Sequence, residues 1–299
     1  RSTLFPYTTL FRSFFFEMVK AFAEEFSERY KASVEKYYKL LQDGPKFTEQ
    51  EQRENSDYKS QELDALYERG MEDAREFQNF LCDCLLAFVK QISRSTLNCD
   101  DLLPSRDKDK RIERLATRVL FTKNSLYEVL FKLIRIKHWD HEKKLKNAFA
   151  ILRDNSLTDF KASSSFCLTN EDSPYQRAID CINYLDTFTN PYDKYDTVFR
   201  VRREIYHSVD QYWSNKGSQE NKNRLILSAD QLVPVFCYCL AQSENYKMKA
   251  HQVFIEAFVH QHLLKYGEEA YYFTTFTASL DFLITTAEKT QARPKDNTN

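Results

Sequence analysis

Residues 15–43 read FFEMVKAFAEEFSERYKASVEKYYKLLQD, and apolar side chains recur in them at every third or fourth position. This spacing places the apolar side chains along one face of an α-helix. The stripe consists of Val19, Phe22, Phe26, Tyr30, Val34, Tyr37 and Leu41. Gly44 and Pro45 follow, and glycine then proline is typical of a helix end. The pattern predicts one long amphipathic helix from about Phe15 to Asp43.

The same periodicity continues along most of the chain. It predicts further helices at about 61–95, twice within 112–139, from Asn190, and at about 232–242, 250–265 and 274–289. Asn190 suits the N-cap and Pro191 the first helical position. Polar stretches predict connections at 46–60, 96–110, 153–176 and 216–224. The sequence therefore predicts an all-α protein, a layered helical bundle.

Glycine is scarce, with 4 residues in 299. No two of the glycines are close together, so a glycine-rich loop that binds phosphates is excluded. Hairpin-rich β folds are disfavoured too, because their tight turns depend on glycine. The 43 basic and 44 acidic residues give a net charge of −1, which argues against a nucleic-acid partner.

The first thirteen residues, RSTLFPYTTLFRS, resemble the translation of a sequencing-adapter oligonucleotide. We therefore predict that residues 1–13 are not native to the protein. A signal peptide is the alternative, but the segment has neither a long apolar region nor an A-x-A-type cleavage site.

Cysteines and histidines give no pattern of metal ligands. The seven cysteines are Cys82, Cys84, Cys99, Cys167, Cys181, Cys237 and Cys239. Their spacings match no zinc motif, and two cysteines that lie two apart on a helix do not share a face. His260 and His262 fail the same test. We expect buried, reduced thiols in a reducing, cytosolic setting, with no metal site and no cofactor.

Basic residues outnumber acidic ones by more than two to one between Arg106 and Lys146. One interpretation is a solvated helix face. The other is a surface for anionic lipid or an acidic partner.

Two stretches near the C-terminus carry the remaining information: LSADQLVPVFCYCL at 227–240 and GEEAYYFTTFTASLDFLI at 267–284. Ser228 and Gln231 have the spacing of a capping box, which would place Asp230 in a helical first turn. Pro234 would clash there with the carbonyl of Asp230, so the backbone is either a separate turn or a kinked first turn. Tyr271 and Thr274 are three apart and would share a helix face. The simplest interpretation is a capping Asp, a core Tyr and an N-cap Thr.

These stretches, S-A-D-x-L-x-P followed by G-E-E-x-Y-Y-F-T, resemble the vacuolar-protein-sorting-nine (Vps-nine) domain. NPYDKYDTVFRVRREI at 190–205 is similar to an upstream helix of that family, with Tyr195 in place of the usual Leu. The resemblance covers about 105–289 and is strongest from 190 onward. It implies a Vps-nine-like domain at 105–289, preceded by an N-terminal helical region at 14–104. The residues after it, 290–299, are polar and are expected to be a disordered tail.

The resemblance implies a guanine nucleotide exchange factor for Rab-five-type small GTPases, an activity without covalent chemistry. It implies that Asp230 is an acidic finger, which displaces Mg²⁺ and pairs with the phosphate-loop Lys of the GTPase. Tyr271, Thr274 and Pro234 fall on positions that face or support the GTPase switch regions. The implied partner is the GDP-bound and nucleotide-free GTPase, and the implied setting is the cytoplasm, with peripheral recruitment to early endosomal membrane for endocytic vesicle transport.

Two other functions remain open. The first is a non-catalytic helical scaffold or adaptor, for which residues 14–104 would be an independent binding module. The second is a lipid-surface helix bundle that uses the basic stretch from Arg106 to Lys146. Binding without preference for the nucleotide-free GTPase would indicate the scaffold, and salt-sensitive liposome binding would indicate the lipid surface.

Overall fold

The computed structural model describes the helical parts of the chain, namely residues 5–43, 49–95, 105–122, 125–168, 173–216 and 229–292. Side chains are described for residues 12–42, 60–91, 110–122, 125–168, 173–216 and 231–292. These ranges are mostly helical and contain no strand, which confirms the predicted all-α class. The α-helices are α1 (Phe5–Asp43), α2 (Glu49–Ser95), α3 (Ser105–Leu120), α4 (Ser125–Lys137), α5 (Trp139–Leu152), α6 (Gln176–Tyr184), α7 (Pro191–Asn215), α8 (Ala229–Gln242), α9 (Met248–Phe258), α10 (Gln261–Lys265) and α11 (Glu268–Ala292). None of the helices in these ranges has the length and apolarity needed to cross a bilayer.

Contacts between residues divide the chain into two compact units. The first contains the chain up to Trp139 together with residues 189–192 and 257–260. The second contains residues 140–188, 193–256 and the chain from 261 onward. The division at 104/105 stays a prediction, because these units are defined by contacts and not by function.

In the first unit, α1 and α2 form an antiparallel pair. Phe22 of α1 stacks on Phe77 of α2 with ring centroids 3.8 Å apart, and Tyr37 donates a hydrogen bond to Glu62 over 2.8 Å. Early residues of α1 therefore meet late residues of α2. The predicted α1 stripe is buried apart from Phe22 and Leu41, which are half-buried. Gly70 lets α2 approach α4, because a Cβ there would lie 2.7 Å from Leu133 Cδ2.

Three predicted boundaries in the N-terminal half are wrong. α1 begins at Phe5 and not near Phe15, α2 begins at Glu49 inside the predicted loop 46–60, and α3 begins at Ser105 inside the predicted connection 96–110. The last two helix starts are rich in Glu, Gln, Arg, Lys and Asp and have no apolar stripe. Glu, Gln, Arg and Lys are good helix formers, so these turns are helical without a hydrophobic pattern to reveal them.

The start of α7 confirms the cap expected from the sequence. The backbone N–H of Tyr192 donates a hydrogen bond to Asn190 Oδ1 over 2.8 Å, and Pro191 is the first helical residue. The apolar face predicted for this helix is buried along its length: Val198, Val201, Ile205, Val209 and Tyr212. A local sequence signal was sufficient here because capping involves only neighbouring residues.

The predicted helix at 250–265 is wrong as one element, because it is divided into α9 and α10. At the division the carbonyl of Phe258 accepts a hydrogen bond from Gln78 Nε2 over 3.1 Å. The Phe258 ring also packs edge-on against Phe121, with centroids 5.0 Å apart. The final helix, predicted at 274–289, extends from Glu268 to Ala292. The predicted tail therefore starts with helix, and its residues from 293 onward lie outside the described part.

Two lysines of the basic stretch form ion pairs within the first unit. Lys132 lies 2.6 Å from Glu35 and Lys137 contacts Asp64, so these two lysines pair with acids of α1 and α2.

The six cysteines in the described part of the chain form no disulfide bonds. The expected burial is correct for Cys181, Cys237 and Cys239, whereas Cys82, Cys84 and Cys167 are half-buried. Cys99 lies outside the described residues.

Candidate functional site

The first element of the candidate site is the start of α8. The helix begins at Ala229, so Asp230 is its second residue and belongs to the first turn, as the capping pattern predicts. Ser228 and the side chain of Asp230 lie outside the described part. What the structure contributes here is the position of Asp230 along the helix.

Pro234 lies inside α8 and is half-buried. The helix is continuous from Ala229 to Gln242, so the alternative of a separate turn around Asp230 is wrong. Since proline has no N–H, the carbonyl of Asp230 has no donor four residues later in the helix. Pro234 thus alters the hydrogen bonding of the turn that carries Asp230.

The second element is the first half of α11. Tyr271 is 42% exposed and Thr274 is exposed as well, one helical turn further on. Thr274 Oγ1 donates to the carbonyl of Ala270 over 2.9 Å. The interpretation as a core Tyr and an N-cap Thr is therefore wrong, because both residues lie inside the helix and face solvent. Tyr272, Phe273 and Phe276 are buried and form the opposite face.

These two elements pack against each other within the second unit. The rings of Phe236 in α8 and Phe276 in α11 have centroids 6.2 Å apart. One residue further along α8, the thiol of Cys237 donates to the carbonyl of Ser279 over 3.7 Å. The fold thus places the helix of Asp230 and Pro234 beside the helix of Tyr271 and Thr274.

A cluster around Arg202 holds the start of α11 against α7. The guanidinium lies 4.3 Å from the ring centroid of Tyr206 and 4.5 Å from that of Tyr272. Its Nη2 lies 2.9 Å from Glu268 Oε1. Burial raises the pKa of Tyr272, which keeps its hydroxyl protonated. This cluster was not predicted from the sequence; the signal that could have revealed part of it is the i, i+4 spacing of Arg202 and Tyr206 on one helix.

The segment NPYDKY at the start of α7 contributes two buried side chains, Lys194 and Tyr195, that make hydrogen bonds inside the fold. Lys194 is buried and donates to the carbonyl of Leu185 over 2.6 Å, and burial lowers its pKa to about 7. Tyr195 donates to the carbonyl of Leu263 over 2.7 Å, and its ring lies 5.8 Å from that of Phe273. Tyr195 replaces an expected Leu, and its hydroxyl adds a hydrogen bond that Leu could not make.

The arrangement presents a small set of solvent-exposed groups. Its accessible groups are an aromatic ring and a hydroxyl on one face of α11, beside a helix with an aspartate in its first turn. Among the described residues, no group of three His, Cys, Asp or Glu is placed to hold a metal ion.

A comparison with curated proteins finds no match to this chain. A comparison with protein-family models finds one match, which runs from Tyr175 to Glu288 and includes α6 to α10 and most of α11. Asp230, Pro234, Tyr271 and Thr274 all lie inside it. The matched model is that of the vacuolar sorting protein 9 (VPS9) domain, so the chain carries a VPS9 domain at residues 175–288.

Proposed function

We propose that this chain is a guanine nucleotide exchange factor for a Rab-five-type small GTPase on early endosomal membranes. The VPS9 domain is an exchange-factor domain for Rab GTPases, which supports the activity. The observation that carries the proposal is the solvent-exposed face of α11, on which the side chains of Tyr271 and Thr274 both lie. A buried Tyr271 would have argued against it.

The proposed chemistry follows from charge. A small GTPase holds its nucleotide with a phosphate-binding loop, the Lys of that loop and Mg²⁺. Loss of the nucleotide leaves that Lys buried without an anion, which costs several kcal/mol. Asp230 would lower this cost by displacing Mg²⁺ and pairing with the Lys. Only a carboxylate can do so, because an isosteric amide lacks the charge that strengthens the hydrogen bond.

To accelerate exchange, a protein must bind the nucleotide-free GTPase more tightly than the nucleotide-bound forms. A partner that binds all nucleotide states of the GTPase equally well accelerates nothing. We therefore assign Tyr271 and Thr274 to contacts with the switch segments in their open, nucleotide-free arrangement. Pro234 would set the backbone of the turn that presents Asp230.

The test is release of a fluorescent GDP analogue from a panel of purified Rab GTPases. Removing one partner of a desolvated ion pair costs about 3–5 kcal/mol, and 1.4 kcal/mol is tenfold, so we expect Asp230→Ala and Asp230→Asn to slow exchange about 100- to 4000-fold. Asp210→Ala, an exposed aspartate of α7, is the matched control. Undiminished exchange by a folded Asp230→Ala variant would refute the acidic-finger assignment.

Two threonines of α11 provide a test variant and a matched control for the proposed GTPase-binding surface. Thr274 and Thr285 are both exposed in α11, and each Oγ1 donates to the carbonyl four residues earlier. Thr274→Ala should weaken binding of the nucleotide-free GTPase, whereas Thr285→Ala should not. Equal binding to GDP-bound and nucleotide-free GTPase would favour the scaffold function instead.

A further inference from the structure

The first unit contains an open groove between α1 and α2, outside the segment that matches the VPS9 domain. It has a volume of about 350 Å³, within the range of ligand-binding clefts. The lining residues are Phe22, Glu25, Phe26, Arg29, Asp73, Glu76, Phe77 and Phe80. Four of these eight are phenylalanines and three are acids, a combination that the proposed exchange activity does not use.

The base of the groove is aromatic and partly open to water. Phe22 and Phe77 stack with centroids 3.8 Å apart, and Phe80 lies 5.9 Å from Phe77. Phe26 is buried beneath them, but 48% of Phe80 is exposed. Phe80 thus leaves one edge of this aromatic cluster accessible to a partner.

The helix segments that form the groove are strongly acidic. Residues 17–29 of α1 and 72–83 of α2 together contain eight carboxylates and three basic residues. The carboxylates are those of Glu17, Glu24, Glu25, Glu28, Glu72, Asp73, Glu76 and Asp83. Arg29, the basic residue in the groove lining, lies 2.8 Å from Glu25 and 2.9 Å from Asp73. The excess of five negative charges contrasts with a net charge of −1 for the whole chain.

We propose that this groove binds an amphipathic helix of a partner protein, with large apolar side chains on one face and basic residues on its flanks. The lining spans residues 22–29 and 73–80, about 10 Å along each helix. That length accommodates two turns of a third helix, whose anchors at positions i, i+3, i+4 and i+7 would contact the phenylalanines. The acidic rim selects lysine and arginine beside those anchors and repels an anionic membrane.

The test uses the full chain and a defined probe. The probe is a fluorescein-labelled 18-residue peptide of leucine and lysine, with leucines spaced three and four apart, and binding is measured by fluorescence anisotropy in 0.15 M salt. Two control peptides replace every lysine by glutamate or every leucine by serine. We expect the leucine–lysine peptide to bind at least tenfold more tightly than either control.

Variants of the chain locate the binding site. Phe80→Ala should weaken peptide binding at least tenfold, and Glu25→Lys with Glu76→Lys should do the same. The matched control is Glu24→Lys with Glu72→Lys, which changes the net charge equally at two exposed glutamates outside the groove lining. The control should weaken binding less than the double variant of Glu25 and Glu76 does, because neither Glu24 nor Glu72 lines the groove.

Three results would overturn the proposal. One is equal binding of the leucine–lysine peptide and either control peptide. Another is unchanged binding by both the Phe80 variant and the Glu25 and Glu76 double variant. The third is a dimer in sedimentation velocity that Phe80→Glu converts to a monomer, because the groove would then hold a second copy of the chain.

Discussion

The guanidinium of Arg202 lies over the ring of Tyr272 in the second turn of α11, 4.5 Å from the ring centroid. The same arginine binds Glu268, the first residue of that helix. The Tyr272 ring in turn lies edge-on to Tyr271, with centroids 5.1 Å apart. Arg202 is therefore a positioning residue for the exposed face of α11, which we propose contacts the GTPase.

Arg202→Met should lower the free energy of unfolding by about 1–2 kcal/mol, since it removes cation–π contacts and a partly exposed ion pair. It should also weaken binding of the nucleotide-free GTPase, because the start of α11 is no longer fixed. Arg200→Met is the control; Arg200 is exposed and lies 4.0 Å from Glu204 in its own helix. Thermal unfolding and GTPase titration measure the two effects. Equal GTPase affinity for both variants would contradict the positioning role.

Pro234→Ala should restore the hydrogen bond from residue 234 to the carbonyl of Asp230. We expect a more regular first half of α8, an unfolding free energy at least equal to that of the wild type, and slower nucleotide exchange, because the first turn changes position. Chemical denaturation and GDP release are the measurements. Wild-type exchange rates in this variant would show that Pro234 does not place Asp230.

Gly70→Ala tests the close approach of α2 and α4. Alanine gains about 1 kcal/mol of helix propensity, but overpacking costs about 1–3 kcal/mol, and the Leu133 methyl that would clash is fully buried. We expect a net loss of about 0–2 kcal/mol in urea unfolding. Leu133→Val should cost less in the Gly70→Ala background than in the wild type, because it relieves the clash. Strict additivity of the two changes would contradict a direct contact.

The pH dependence of the free energy of unfolding should show the raised pKa of Glu113 in α3. Burial raises the pKa of its carboxyl to about 7. The hydroxyl of Tyr192, which donates to Oε1 over 3.4 Å, acts in the opposite direction and lowers this pKa. His260 Nε2 lies 3.6 Å from Oε2. The folded state thus binds more protons than the unfolded state between pH 4.5 and 7. The stability that the protonated carboxyl contributes is fully present below pH 4.5 and is lost as the pH rises through 7.

We expect the free energy of unfolding to fall across this window by about 1–2 kcal/mol more in the wild type than in Glu113→Gln, after allowance for solvent near the half-buried carboxyl. Urea unfolding at intervals from pH 4.5 to 8 measures the difference. Glu76→Gln, at an exposed glutamate, should follow the wild-type profile. Parallel profiles for the wild type and Glu113→Gln would show that Glu113 has an ordinary pKa.

The features predicted correctly from the sequence depend on neighbouring residues. The apolar stripe of α1, the Asn190 cap and the shared face of Tyr271 and Thr274 all follow from spacings within a few helical turns. The division between α9 and α10 did not follow, because it involves Gln78, which is 180 residues from Phe258. The Arg202 cluster was missed for a related reason, since its ion pair joins α7 to a residue of α11. The exposure of Tyr271 likewise depends on which face of α11 packs against α7 and α8, so spacing alone suggested a core residue.

The segment that matches the VPS9 domain makes contacts with residues outside the match. The four residues 257–260 lie inside the family match but belong to the first compact unit, as do residues 189–192. A fragment that started at residue 175 would strip Phe258 of both the ring of Phe121 and the hydrogen bond from Gln78. Truncation would therefore expose an aromatic side chain at the end of α9, and we expect the fragment to be less stable than the full chain.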